Sequence, residues 1–310
     1  MQSLPKTFKL NNDLEIPSIG QGSNDIRNDI SDVIYNSIKD GVRLFDTAAV
    51  YGSEKKLGEG VKKAIDEGIV KRSDLFIVTK IAHTERENPE NALKESLKNL
   101  GMDYVDLYLD HWPAFYLIDK DGKKIKNVPL HEIWPKMEAL VEKGLTKSIG
   151  VSNYNVQSLV NLLSFCKIKP VVNEVEYHPY LNQKNLKNFC DKEGIKILAY
   201  LPFVKGDYIK DVNKEFPEKL KLNLLEENVV KELAKKYNKT VGQIVLNWEV
   251  DIGVIPIPMT SNPHRMKENI GALDFKMDKE DIEKINGLNK NCRFNLSGFW
   301  NIVGDFDVFA

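Results

Sequence analysis

Leu75-Phe-Ile-Val-Thr-Lys80, then Asn91-Ala-Leu-Lys-Glu-Ser-Leu-Lys-Asn-Leu100-Gly101, then Val105-Asp-Leu-Tyr-Leu-Asp110, hold one full unit of the pattern that decides the fold. The outer runs are short, apolar and rich in β-branched residues. The middle segment has helical period, with Ala92, Leu93, Ser96, Leu97 and Leu100 on one face. Gly101 closes it, as glycine or an Asp-Gly pair does at many helix ends here.

The unit repeats in both directions. Strands are expected at Ile16 to Gly20, Val42 to Asp46, Leu75 to Lys80, Val105 to Asp110, Lys147 to Val151, Val171 to Val175, Ile195 to Tyr200 and Gly253 to Ile257. Helices are expected at Ile30 to Lys39, Lys55 to Asp66, Pro89 to Leu100, Leu130 to Glu142, Val156 to Phe165, Gln183 to Lys192 and Glu226 to Tyr237. Eight strand signals with crossover helices predict an α/β eight-stranded parallel (β/α)8 barrel of the TIM type. The competing open sheet would carry a Gly-x-Gly-x-x-Gly turn after its first strand. Gly20-Gln21-Gly22 runs on into Ser23-Asn24-Asp25 and does not complete it. No linker divides the chain, so residues 1–310 read as a single barrel domain. Pro202 to Leu225 reads as a long loop over the mouth, and the C-terminal tail after Asn289 as another.

Composition narrows the function classes. The 310 residues are 42% hydrophobic and 29% charged, as in ordinary globular proteins. Lys plus Arg (44) against Asp plus Glu (45) leaves a formal charge of -1, with no basic excess for nucleic acid or anionic lipid. There is neither a signal-peptide pattern nor a run of about eighteen apolar residues, so a cytoplasmic protein with no membrane partner is expected. Cys166, Cys190 and Cys292 are far apart, and the five histidines have no ligand spacing, so no metal site is expected.

In a barrel of this type the active site lies at the carboxyl ends of the strands. Those ends bring Asp46 and Tyr51, Lys80 and His111 together from three consecutive strands. Singly, Lys80 reads as a strand terminus, Tyr51 as a rim aromatic, His111 as a core imidazole and Asp46 as a helix cap. Together they suit proton transfer. A free tyrosine has a pKa near 10; an adjacent ammonium is expected to lower it, a carboxylate to hold that ammonium, and a histidine to orient a carbonyl oxygen. Carbonyl reduction needs such an apparatus.

The sequence resembles the aldo-keto reductases, in particular aldose and xylose reductases, from Leu10 to the tail. The resemblance rests on Phe45-Asp46-Thr-Ala-Ala-Val-Tyr51-Gly-Ser-Glu54, Val105-Asp-Leu-Tyr-Leu-Asp-His111-Trp-Pro113, Ile149-Gly-Val-Ser152-Asn153-Tyr and Val175-Glu-Tyr-His178-Pro179-Tyr180, in that order. It implies an NAD(P)H-dependent oxidoreductase acting on a small-molecule aldehyde or ketone, with Tyr51 as acid, Lys80 and Asp46 as its tuning pair and His111 as carbonyl orienter. It further implies that Ser152, Asn153 and Glu174 hold the nicotinamide carboxamide and that Tyr200 stacks on the ring. Thr260 and Arg265 would lie around a 2′-phosphate, with Glu268 and Asn269 at the adenine.

Several positions depart from the pattern. Met259 stands where a phosphate-holding lysine is usual, so NADP(H) is expected but NAD(H) use is opened. Glu174 replaces a glutamine; its carboxylate can accept from the carboxamide NH2 but not donate to its oxygen. Leu201 replaces a serine. Asp110 precedes His111 where an aliphatic is usual, and is read as a change in the pocket. Asn24, Trp112, Asn295 and Trp300 are the expected substrate-pocket residues, and the ending Cys292-Arg-Phe-Asn295 with Trp300 resembles yeast xylose reductases, although Val50 replaces a carboxylate some of those carry. The altered cofactor contacts also keep open a non-catalytic or weakly catalytic nicotinamide-binding regulatory or structural protein. A monomer or weak homodimer is expected.

Overall fold

The computed structural model describes residues 3, 6–24, 29–113, 128–204 and 218–296. A hairpin of β1 (Thr7–Lys9) and β2 (Glu15–Pro17) precedes one eight-stranded sheet. Its strands are β3 (Gln21–Gly22), β4 (Leu44–Asp46), β5 (Phe76–Ile81), β6 (Leu107–Asp110), β7 (Ile149–Ser152), β8 (Val172–Glu176), β9 (Lys196–Tyr200) and β10 (Val254–Pro256). Every neighbouring pair is parallel. The sheet closes on itself: Gly20 N–H donates to Pro256 O at 2.9 Å, Gly22 N–H to Pro258 O at 3.2 Å, and Gly22 bridges Met259. A Cβ on Gly22 would sit 3.1 Å from the Ile257 carbonyl, which is why the seam takes a glycine there.

Helices α1 (Ile30–Lys39), α2 (Glu54–Asp66), α3 (Pro89–Leu100), α4 (Leu130–Glu142), α5 (Val156–Leu163) and α6 (Lys184–Glu193) cross between strands, followed by α7 (Asn228–Tyr237), α8 (Val241–Asp251), α9 (Pro263–Ile270) and α10 (Lys279–Asn286). The barrel was expected, and so were α1, α3 and α4 to the residue. Two expectations fail. The run Ile16 to Gly20 is not the first barrel strand: Glu15–Pro17 pairs antiparallel with Thr7–Lys9, and only Gln21–Gly22 joins the barrel. Helices α8, α9 and α10 were not anticipated. Among the described residues no helix is long and apolar enough to cross a membrane, and no cluster of three or more His, Cys, Asp or Glu is placed to hold a metal.

Strand alternation positions the site. Leu44, Val78, Leu107, Leu109, Val172, Leu198 and Ile255 pack together inside the barrel, closed below by Leu10 and Ile16 of the hairpin. Phe45, Ile77, Tyr108, Ile149, Val175 and Ala199 face the helices instead. Successive side chains point to opposite faces. The next inward positions after Leu44, Val78, Val172 and Leu198 are therefore Asp46, Lys80, Glu174 and Tyr200, all at the carboxyl ends. The same parity turns Asp110 outward.

Candidate active site

Asp46 and Lys80 form the floor. The Lys80 ammonium is fully buried and donates to both Asp46 oxygens, at 2.7 and 2.6 Å, and to the Thr47 carbonyl at 3.0 Å. Burial disfavours its charge, but Asp46 and Glu174 outweigh that and hold the lysine above its ordinary pKa. Burial pushes Asp46 up against the opposing pull of Lys80.

Tyr51 stands at the end of a single 3₁₀ turn, Ala49–Tyr51, that leaves β4 and is terminated by Gly52 at φ +67°. Hydroxyls tie this loop down: Ser53 Oγ pairs with Thr47 Oγ1 at 2.8 Å and with Ser23 Oγ at 3.0 Å, and Thr79 Oγ1 donates to Glu54 at 2.7 Å. The Lys80 ammonium lies 5.0 Å from the Tyr51 ring centre, and the His111 ring meets Tyr51 edge-on at 5.8 Å. One expectation needs correction. Burial raises the Tyr51 pKa more than Lys80 lowers it, so the phenol holds its proton more tightly than in water. Lys80 therefore limits the cost of the phenolate rather than creating it. His111 is driven far the other way, by burial first and then by Lys80 and His83, so its imidazole is neutral.

Beside the tetrad, β7 and β8 deliver a polar wall. Ser152 Oγ donates to the Glu174 carbonyl at 2.9 Å. Asn153, at φ +64°, donates from Nδ2 to the His111 carbonyl at 3.0 Å and to Ser152 Oγ at 3.1 Å. Its Oδ1 accepts from the Tyr200 hydroxyl at 2.8 Å, which accepts in turn from Asn295 Nδ2 at 2.9 Å. Glu174 reaches Lys80 as well, Oε1 to Nζ 3.3 Å, and meets the Asp46 carboxyl, while no protein N–H or O–H donates to its buried Oε2. Burial, then the Asp46 charge, push Glu174 well above the usual carboxylate range.

A cavity of about 680 Å³ joins these groups to the far side of the mouth. Its lining runs from Asn24, Val50, Tyr51, His83, His111, Trp112 and Asn295, past Ser152, Asn153, Glu174, Tyr200 and Leu201, to Met259, Thr260, Arg265, Glu268 and Asn269. At that far end Thr260 Oγ1 accepts from Asn262 N–H at 3.1 Å, and Glu268 accepts from the α8 N-cap Thr240 at 2.5 Å. Arg265 is exposed and, among the described residues, has no ion-pair partner. An orphaned buried oxygen at one end, a spare guanidinium at the other and amide and hydroxyl groups between them fit a nicotinamide dinucleotide. Trp300 lies outside the described residues, as do residues 205–217 of the mouth loop.

Asp110 is not a pocket residue. It accepts from Arg86 Nη2 at 2.8 Å and from the Tyr154 hydroxyl at 2.7 Å behind the barrel wall. Sequence reasoning missed His83, which lines the cavity from the loop after β5, and missed Glu176. The Glu176 carboxylate accepts from His178 Nε2 at 2.9 Å and from the Phe294 and Asn295 N–H groups at 2.7 and 2.8 Å, which fastens the tail to the end of β8. The charged residue alternating with Glu174 in Asn173-Glu-Val-Glu176 was the available signal.

A barrel mouth that keeps a phenolic proton and a neutral imidazole on one side of a dinucleotide-sized cavity defines a class, the NAD(P)H-dependent oxidoreductases that reduce an aldehyde or ketone to an alcohol. Within that class the chain belongs to the aldo/keto reductase family, whose sequence profile matches residues 20–290. It is similar to aldose reductase B of Dictyostelium discoideum, 41% identical over 94% of this chain and 96% of that one. It is also similar to the NADH-dependent D-xylose reductase of Candida parapsilosis, 39% identical over 93% of this chain and 92% of that one. A solved structure of a Bombyx mori aldo-keto reductase in complex with NADP superposes with a TM-score of 0.86 and 34% identity, covering 99% of this chain and all of that one.

Proposed function

We propose that Tyr51 is the proton donor of this reductase, that Lys80 and Asp46 stabilise the phenolate it leaves, and that His111 orients the substrate carbonyl. A bound reduced nicotinamide supplies the hydride. The protein's own groups then manage the oxygen: the neutral His111 N–H donates to it, and the Tyr51 O–H bond breaks as the alcohol O–H bond forms. The phenolate is left beside the buried Lys80 ammonium, where low dielectric makes that charge pair strong. The observation that carries the reading is the Asp46–Lys80 pair under a protonated tyrosine that faces a neutral imidazole.

Ser152, Asn153 and Glu174 would hold the carboxamide, Tyr200 the ring face, and Thr260, Arg265, Glu268 and Asn269 the adenosine end. With Met259 in the cavity wall and Arg265 as the cation without an ion-pair partner among the described lining residues, the site suits both NADPH and NADH. The substrate end mixes Trp112 and Val50 with Asn24, His83 and Asn295, so one wall is apolar and the rest offers hydrogen bonds. That composition suits a hydroxylated aldehyde, an open-chain aldose, better than a steroid ketone. The relatives named as aldose and D-xylose reductases support this choice. We further propose that residues 1–310 act as one catalytic domain.

Steady-state kinetics on glyceraldehyde, pentoses, a nitrobenzaldehyde and steroid ketones, each with NADPH and NADH, test the proposal. Pentose and glyceraldehyde reduction with both cofactors is expected. Turnover of steroid ketones alone would contradict the substrate assignment, and failure to bind either dinucleotide would favour a non-catalytic role.

A further inference from the structure

The cluster beneath Tyr51 contains one carboxyl group too many for its single ammonium. Asp46 takes the short contacts, with both oxygens within 2.7 Å of Lys80 Nζ. Glu174 touches the same nitrogen with one oxygen at 3.3 Å. All three side chains are almost completely buried. Were both carboxyls ionised, the site would carry an uncompensated negative charge away from water, and two carboxylates sharing one site do not both ionise. The asymmetry of contact decides which keeps the proton. Asp46 has both oxygens satisfied by a charged donor, whereas Glu174, whose side chain lines the cavity, has no protein donor at its buried Oε2 and meets Asp46 carboxyl to carboxyl, a contact that a proton on Glu174 makes favourable.

We propose that Glu174 is a neutral carboxylic acid in the working protein and acts as a positioning residue, its O–H donating to the carboxamide oxygen of the nicotinamide and its C=O accepting from the carboxamide NH2. A protonated carboxyl offers one donor and at least one acceptor, the same pair that an amide side chain presents. This deepens the cofactor reading above and rests on it. Burial and the Asp46 charge both favour the protonated form. The ionisable groups facing Glu174 are Asp46 on β4, Lys80 on β5, Tyr51 on the 3₁₀ turn and Tyr200 on β9; β7 contributes the Ser152 hydroxyl. Loss of the Glu174 proton in alkali removes the donor and places a second negative charge on Lys80, which strengthens the hold of Tyr51 on its own proton.

Infrared difference spectra of the ligand-free protein, wild type minus Glu174→Gln, test the protonation at neutral pH. A carboxylic-acid C=O band lost in the variant is expected. A difference showing only carboxylate bands would overturn the proposal. Glu174→Met is a second variant with the same expected loss, and Glu249→Gln identifies the band of another buried acid that burial pushes well up. Equilibrium titrations with NADPH and NADH test the donor role: wild-type affinity should fall several-fold as pH rises through the disappearance of the acid band, with Glu174→Gln level across that range. A level wild-type profile, or parallel falls in both proteins, would overturn it. If neither protein binds either dinucleotide, the donor role falls together with the cofactor reading, whereas the infrared band decides protonation independently.

Discussion

At the scale of single residues, the site works by setting three protons. Lys80 keeps its proton because the Asp46 carboxylate lies against it, Tyr51 keeps its own because burial penalises the phenolate, and His111 gives its own up because burial and Lys80 penalise the imidazolium. Lys80→Met removes the charge that stabilises the phenolate while leaving Asp46 buried without its partner. Steady-state kinetics should show a kcat loss of about 10²-fold or more, the range of general-acid contributions. Asp46 buried alone should also lower the melting temperature. His111 carries a stability signature with a definite sign. In the unfolded chain a histidine titrates near 6.5, whereas the folded group stays neutral well below that. The unfolded state therefore takes up more protons in acid, and the His111 contribution to stability is lost as pH falls below 6.5. His111→Gln should flatten the decline of melting temperature between neutral and mildly acidic pH, and an unchanged slope would contradict the assigned neutral imidazole.

At the scale of elements, β8 and α8 differ in how they handle a buried acid. β8 ends on Glu176, whose pKa is held below the ordinary value despite burial by His178, Arg293 and the Phe294 N–H. Through it the tail is fixed, and Asn295 is set against Tyr200. In Glu176→Gln an NH2 group would face N–H donors, so the tail should loosen; KM for the carbonyl substrate should rise several-fold with a smaller change in kcat. Helix α8 instead buries Glu249 with neither oxygen hydrogen-bonded, and burial pushes its pKa well above 4.5. An acid raised in the folded state contributes stability below its unfolded pKa that is lost as pH rises. Glu249→Gln removes the ionisation but keeps a buried polar group, so its stability should be close to wild type at pH 4 and above it at pH 8. Urea unfolding at the two pH values checks both size and sign. The same helix explains a gap in the sequence reading. Residues Ile244 to Val250 are all buried, so α8 has no polar face and no period to detect. Helices α1, α3 and α4 were plain because each buries one stripe and exposes the other. The first barrel strand was missed because two residues carry no alternation.

At the scale of the whole molecule, a parallel barrel delivers every second strand-end residue to one mouth, and that rule made Asp46, Lys80 and His111 legible as neighbours before any coordinates. It could not show the protonation of Glu174, which depends on Asp46 arriving from four strands away across the barrel; the outward turn of Asp110 toward Arg86 and Tyr154 does follow from the same alternation, which the reading of Asp110 as a pocket residue did not apply. It also could not place His83, which comes from a loop. Cofactor preference likewise belongs to the whole cavity, since Arg265, the cation at its far end among the described residues, would serve a ligand whose chemistry occurs at the other. Met259→Lys should shift the ratio of kcat/KM toward NADPH by about tenfold, close to the weakest charge-assisted contact of about 1.5 kcal/mol, without changing the substrate profile. All of this presumes that the mouth of the barrel holds a proton for a carbonyl oxygen, and the Tyr51→Phe variant asks that question directly. Measured with glyceraldehyde and saturating NADPH, its kcat should fall by about 10²-fold or more while its affinity for NADPH stays at the wild-type value. A variant that retained most of the wild-type kcat would contradict the account.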